Sequence, residues 1–522
     1  MFEQLFQQTE EYKKLAGALS GKGACALFGL PAAGRALVYA ALSRALGRTL
    51  CIVTPGEAEA TRFAADLNTL GVAAAVFPAR DYLLRPIESA GREYEYRRLA
   101  VLGDLAGGRL QAVCVPSEGL TQYTVPPEDF RANTRTLRPG DAIEREDLIA
   151  LLLGAGYVRR DRVDGPGQFS IRGEILDLYA PDMKAPVRVE FWGDEIDTMH
   201  TFDLATQRRD DAVEKIYVSP AREVLFGAPE AAAEALRAFL KKQRGKRRTA
   251  MQDVMAPDLD LLDAGALPPS MDKYLAVRYP VRATLLDHLE DPLLFLEEPA
   301  SIREADRATA YRRGEELAAL MADGALCAGL DDLYAAPGWL WAQTGRCRTL
   351  LAENFARSLP DQPLKALVNV PCHSLPAWGG EVSALLDDLQ PLCAKGTAVT
   401  VLAGTPRAAA GLAGDLRARG LAVSTDAAAP PQPGLVQVLP GCLSAGCGLP
   451  FAGYALITAR AFGESAPARR KQKRGKDALN SLTEITPGDL VVHQNHGIGR
   501  YAGIRRMEVQ GVTKDYLRIE YD

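Results

Sequence analysis

The chain alternates short, largely apolar runs with longer amphipathic stretches. In the first part the runs Ala24–Phe28, Thr49–Thr54, Ala73–Phe77 and Gln111–Val115 predict strands, with helices between them. Continuous apolar strands separated by helices specify a parallel sheet covered on both faces. From about Pro126 to Val218 the pattern changes to an alternation of apolar and charged residues. Asp147–Leu153 reads there as a short helix, and Phe169–Tyr179, Val187–Phe191 and Glu195–Phe202 as antiparallel strands. Residues from about Ser219 to Gly345 are mostly helical in pattern, apart from the run Leu293-Leu294-Phe295-Leu296. From Arg346 the strand–helix alternation returns, with strands expected at Ala366–Val370, Ala398–Ala403 and Ala455–Thr458.

A polar, basic stretch follows from Glu464 to Leu482 and reads as a linker. The last segment is rich in strand formers. Gly488, Gly497, Gly499 and Gly503 punctuate it, as a small, tightly curved barrel requires. It stops at Leu517-Arg518-Ile519-Glu520-Tyr521-Asp522 in mid-alternation, so the barrel is expected to be partial. The expected fold is therefore multidomain α/β: a parallel body interrupted by an α+β insert, a second α/β domain, and a partial small β-barrel.

Composition narrows the classes. The 522 residues carry a net charge of −5, so nucleic-acid contact would need a local basic patch. No apolar run reaches the ~18–20 residues of a membrane span, and Met1-Phe2-Glu3-Gln4 opens an amphipathic helix instead of a signal peptide. A cytoplasmic monomer is expected. The nine cysteines are scattered, mostly in apolar runs, and read as small buried hydrophobes. Cys442 and Cys447, and likewise His493 and His496, lack the further ligands a metal site needs.

The first strand runs into Gly29-Leu30-Pro31-Ala32-Ala33-Gly34-Arg35-Ala36 and then a helix. A working phosphate loop has the same glycine spacing, followed by Lys and Ser or Thr. Arg35 stands where the Lys would reach the phosphates, and Ala36 where a hydroxyl would hold Mg²⁺. The apolar run ending in Glu297-Glu298 matches the strand that carries the acids of such a site. Taken singly, the pieces read as a turn before a helix and a capped strand end. Together they suggest a degenerate nucleotide site made of Gly29, Gly34, Arg35, Ala36, Glu297 and Glu298, with no catalytic residue.

Leu285–Glu298 and Phe77-Pro78-Ala79-Arg80-Asp81-Tyr82 resemble segments of the repair helicase UvrB. Ile171–Tyr179 with Val187–Asp197 resembles the insert through which UvrB and the transcription-repair coupling factors bind the damage sensor UvrA. Pro487–Ile504 resembles the start of the RNA-polymerase-interacting module shared by those coupling factors and CarD-type regulators. The combination is that of the front part of a bacterial transcription-repair coupling factor. The resemblance implies a UvrB-like domain 1a over 1–126, a UvrA-docking insert over 127–218 and domain 1b over 219–345. An α/β domain over 346–463, a basic linker over 464–482 and a truncated polymerase-interacting domain over 483–522 complete it.

The resemblance further implies that Arg172, Arg188, Glu190 and Trp192 contact UvrA, and that Arg505, Arg506 and Met507 face the polymerase β subunit, by strand addition. From pattern alone, the face carrying Arg188, Glu190 and Trp192 is equally a solvated sheet surface with cross-strand ion pairs. ATP and Mg²⁺ belong to the translocase motor of the longer family members, whose motifs are missing here, so no cofactor is expected in this segment. The basic runs Lys241–Arg248 and Arg469–Lys476 read as a solvated helix end and a linker, with weak, salt-sensitive DNA contact as the alternative. Two rival functions remain at this point: an active UvrB-type ATPase and helicase, and a CarD-like transcription regulator carrying an inert α/β domain.

Overall fold

The computed structural model describes residues 3–86, 91–355, 363–375, 377–459, 488–493, 497–509 and 512–520. The chain divides into two units, Met1–Gly463 and Glu464–Asp522. In the first, strands β1 (Gly23–Phe28), β2 (Leu50–Thr54), β3 (Ala74–Val76) and β4 (Ala112–Pro116) alternate with helices Ala32–Leu46, Glu57–Thr69 and Glu93–Ala106. The insert supplies β5 (Arg135–Leu137), β6 (Val158–Arg159), β7 (Gln168–Arg172), β8 (Ile175–Tyr179), β9 (Val187–Trp192), β10 (Glu195–Phe202), β11 (Arg209–Ala212) and β12 (Ile216–Val218). The chain then returns to the body with β13 (Leu293–Glu297), β14 (Arg348–Glu353) and β15 (Leu364–Asn369).

The body is one parallel sheet in the order β15-β1-β14-β13-β2-β4-β3. Its central strands β1, β2, β13 and β4 are buried along almost their whole length and are apolar at nearly every position, because both faces are covered. Cys51, Val53, Leu294 and Leu296 pack into one core with helices Pro229–Lys241 and Gly245–Asp263. Ile52, Phe295 and Leu350 point the other way, into a core shared with Val38, Tyr39 and Phe63. This period-two division of one continuous apolar run between two cores is what a doubly covered strand looks like in sequence.

The insert folds into a six-stranded sheet, β11-β10-β9-β8-β7-β6, antiparallel except for the parallel β6–β7 pair. Leu148 and Leu152 of helix Arg145–Gly154 cover one face, against Leu176, Leu178, Val187 and Val189. Two-residue turns set the register of the hairpins. Gly173 (φ 60°) joins β7 to β8 and Gly193 (φ 64°) joins β9 to β10, each in a conformation that disfavours a side chain. Entry and exit strands β5 and β12 pair with each other, which closes the insert at its neck.

The next sheet has the order β16-β20-β21-β17-β19-β18, from β16 (His373–Leu375), β17 (Ala398–Leu402), β18 (Val423–Ser424), β19 (Val436–Leu439), β20 (Gly446–Leu449) and β21 (Tyr454–Thr458). The domain expected to start at 346 needs correction here. β14 and β15 both flank β1 in the first sheet, so the strand expected at Ala366–Val370 is an edge of the body. Strand periodicity reports burial and carries no information on which sheet a strand joins.

In the second unit, β22 (Leu490–His493), β23 (Gly497–Val509) and β24 (Val512–Glu520) form a three-stranded antiparallel sheet. The expected partial barrel is, among the described residues, this open sheet. Among the described residues no helix is long and apolar enough to cross a membrane.

A buried polar network ties the body, the insert exit and the helical region together. Arg98, fully buried, donates from Nε to Glu223 Oε1 (2.6 Å), from Nη1 to Gln122 Oε1 (2.9 Å) and to the Pro78 carbonyl (3.2 Å). Arg80 makes a two-pronged contact with Asp272 (2.8 and 3.1 Å) and lies 3.3 Å from Glu223. Glu95 accepts from the Glu223 amide (2.9 Å) and pairs with Arg92 (2.7 Å). Removing one partner of such a network strands a charge in the interior. Arg98→Ala should therefore lower stability by about 3–5 kcal/mol, read from urea denaturation. A loss below about 1 kcal/mol, the size of an exposed pair, would show that the network does not hold the three segments together.

Candidate functional site

Two constellations from the sequence can be located in full. The first is the outer face of the insert sheet. β9 alternates buried Val187, Val189 and Phe191 with Arg188, Glu190 and Trp192, so the last three share the face opposite the core. The β8–β9 register sets Asp177 opposite Arg188, and the β7–β8 hairpin brings Arg172 to the same face. Asp177 is buried and grips both guanidiniums: Arg188 from Nε (2.7 Å) and Nη2 (2.9 Å), and Arg172 from Nη2 (2.9 Å). Arg188 also lies over the Phe202 ring, 4.9 Å from its centre. The Asp177 hydrogen bonds hold the Arg188 pKa above its ordinary value.

Glu190 is held from the other side by Arg209 and accepts from the Thr198 hydroxyl (2.9 Å). Burial would raise its pKa, yet Thr198 and Arg209 hold it below the ordinary carboxylate value. Trp192, at the strand end beside the Gly193 turn, is 83 % exposed. The face thus combines fixed charges of both signs with an indole left in water. Its charged groups have already lost much of their rotamer freedom, so a partner would meet a pre-arranged surface. Asp177 and Arg209 were missed in the sequence, although Asp177, the one acid between core residues Leu176 and Leu178, was a visible signal.

The second constellation is the corner where β1 runs into helix Ala32–Leu46. Gly29 has φ 87°, and a Cβ there would lie 2.5 Å from the Val370 carbonyl oxygen, so only glycine fits. Gly34 sits in the first turn of the helix, and Ala36 is buried with no oxygen to offer a metal. Arg35 does not project from the loop. It is 4 % exposed, with Nε 2.8 Å from Glu297 Oε2 and Nη1 2.9 Å from Glu298 Oε1. Tyr39, one turn further along the helix, donates its hydroxyl to Glu297. Glu298, in the left-handed region (φ 51°), also accepts the Asn354 amide (3.1 Å). Loop amides are committed as well, Gly29 to the Asn354 carbonyl (3.3 Å) and Arg35 to that of Pro31 (2.9 Å).

The corner therefore keeps the frame of a phosphate loop while Arg35, the cation of that loop, is taken up by both acids. Burial pushes the Glu297 carboxyl up to about 7, against the opposing pull of Arg35 and Tyr39.

The third set lies in the second unit. Arg505, Arg506 and Met507 fall in β23, opposite Tyr516, Asp515 and Lys514 of β24; their side chains are outside the described residues. β22 pairs only with Gly497–Arg500, so beyond Arg500 the other edge of β23 has no strand neighbour among the described residues. The register shift between Tyr501 and Gly503 bends the strand there. The basic run Arg469–Lys476 and His496 also lie outside the described residues.

Comparison with known proteins matches residues 136–224 to the UvrB interaction domain and residues 485–522 to the CarD-like/TRCF RID domain. The two matches fall on the insert and on the C-terminal sheet. The transcription-repair-coupling factor of Bacillus subtilis (strain 168) is 27% identical over 532 residues, covering 99% of this chain and 45% of the relative. The corresponding factors of Staphylococcus aureus (strain MRSA252) and Staphylococcus haemolyticus (strain JCSC1435) are each 24% identical, covering 85% of the chain and 39% of the relative. The matches are those of the N-terminal portion of a transcription-repair coupling factor, and the chain spans somewhat under half the length of these relatives.

The buried carboxyl gives a pH test. Folded Glu297 takes up its proton near 7 and an ordinary carboxyl near 4.5, so the folded state binds more protons between those values. Stability should therefore fall as pH rises through this window. Glu297→Gln should lose that part of the slope in denaturation midpoints taken from pH 5 to 8. Parallel curves for the two proteins would show that Glu297 does not titrate in this range.

Proposed function

We propose that this chain is a docking platform of a transcription-repair coupling system, recruiting UvrA through the insert and RNA polymerase through the C-terminal sheet. The observation that carries the reading is Trp192, exposed beside Arg172 and Arg188, which Asp177 clamps on a face within the UvrB interaction domain match. Exposed aromatic residues flanked by Arg are typical binding anchors, and a lone indole left in water gains most when a partner covers it. Arg172, Arg188, Glu190 and Trp192 are the contact residues in this reading.

Polymerase would be met at the unpaired edge of β23 by strand addition, with Arg505, Arg506 and Met507 near the contact and the β subunit as the partner. The chain supplies tethers and no motor of its own. Its phosphate-loop corner would not hydrolyse ATP, because Ala36 cannot hold Mg²⁺ and Arg35 is committed to Glu297 and Glu298. In the longer relatives, an ATP-driven translocase would displace the stalled polymerase while the insert brings in UvrA for excision repair.

Titrating UvrA into this chain by calorimetry tests the reading. Binding is expected, and the double variant Arg188→Ala, Trp192→Ala should weaken it at least tenfold, with no ATP turnover in either sample. UvrA binding that the variant retains would displace the contact from this face. Measurable turnover would favour the UvrB-type nucleotidase. Polymerase binding without UvrA binding would favour a CarD-like regulator.

A further inference from the structure

Away from both sites, two neighbouring hollows share Trp341 of the short helix Trp339–Gln343 as a wall, and the long helix Pro299–Ala322 lines one of them. One, of about 580 Å³, is lined by Arg303, Arg307 and Asp306 together with Trp341; the other, of about 510 Å³, by Lys365 and the Gly23 end of β1. Each lies within the ~300–1,000 Å³ range of ligand sites.

Several features mark this surface as built for an anionic, aromatic ligand. The Arg303 guanidinium stacks 4.3 Å from the centre of a Trp341 ring, and its Nε is buried with no hydrogen-bond partner among the described residues. Such an orphaned donor costs stability unless a ligand or water meets it. Arg303, Arg307 and Tyr311 recur at four-residue spacing and so share one side of the helix. Tyr311 is 72 % exposed. No ion pair among the described residues engages Arg303, Arg307 or Lys365, whereas nearby Arg312 is paired with Glu118 (2.5 Å). The one carboxyl lining these hollows, Asp306, has its pKa raised by burial, so it opposes an anion less than an exposed acid would.

We propose that this double hollow and the helix face beside it bind single-stranded nucleic acid, with bases stacking on Trp341 in the hollow and on Tyr311 just outside it, and phosphates on Arg303, Arg307 and Lys365. Cations alternating with aromatic rings are what a single strand requires and a duplex does not, because only unpaired bases offer free faces. The site is separate from the insert face, from the phosphate-loop corner and from the basic run Lys241–Arg248.

The test is fluorescence anisotropy of a labelled oligothymidylate with the full chain, at two salt concentrations. Binding should weaken with salt. Arg303→Glu with Arg307→Glu should weaken it at least tenfold, and Trp341→Ala about five- to hundredfold, the range of base–aromatic stacking. If Trp341→Ala fails to fold, the arginine variant decides alone, since Arg307 is exposed and Arg303 partly so. No binding, equal affinity for duplex or for polyglutamate, or a loss that follows Lys241→Glu with Arg247→Glu instead would each overturn the proposal.

Discussion

The packing of Arg80 and Arg98 against Glu223, Asp272 and Glu95 is the constraint on which the rest of the first unit depends. These charges sit where four segments meet: the loop after β3, helix Glu93–Ala106, the exit from the insert and the turn Met271–Tyr274. Desolvating them is costly, and the cost is offset only if every donor and acceptor arrives in the right place. The network thus favours one arrangement of body, insert and helices over looser alternatives, and it fixes the exit of the insert beside Glu223.

The same chemistry, a guanidinium held by carboxylates, appears at both candidate sites with opposite results. Asp177 lies beneath the insert face and holds Arg172 and Arg188 from below, which leaves Arg172 half in water beside a solvated Trp192. At the phosphate-loop corner Glu297 and Glu298 close on Arg35 from the far strand, and Tyr39 seals the remaining oxygen. One arrangement presents charge and the other consumes it. A surface built the first way can recruit a partner. A corner built the second way serves the fold, joining helix Ala32–Leu46 to β13.

Much of this was legible in the sequence. The apolar runs located the body strands other than β14, because a strand buried on both faces has few polar positions to blur its signal, whereas Arg348, Thr349 and Glu353 break the pattern of β14. The alternation in β9 put Arg188, Glu190 and Trp192 on one face before any register was known. What remained hidden were relations between segments. β14 and β15 look like the opening of a new domain, yet they flank β1 in the first sheet. Arg35 resembles a weakened phosphate ligand until Glu297 and Glu298 are seen against it. Asp177 becomes an anchor only through its pairing with Arg188. The Phe77–Tyr82 segment resembled UvrB in sequence, and its physical meaning, with Arg80 in the buried network and Phe77 under Arg98, came from the packing.

The central claim is that the outer face of the insert is where the repair partner lands. Hydrogen–deuterium exchange of the chain with and without UvrA tests it most directly. The account predicts added protection confined to Gln168–Arg172, Ile175–Tyr179 and Val187–Phe202, with the Gly29–Tyr39 corner unchanged. Protection centred on that corner, or spread over the body with the insert strands unaffected, would contradict it.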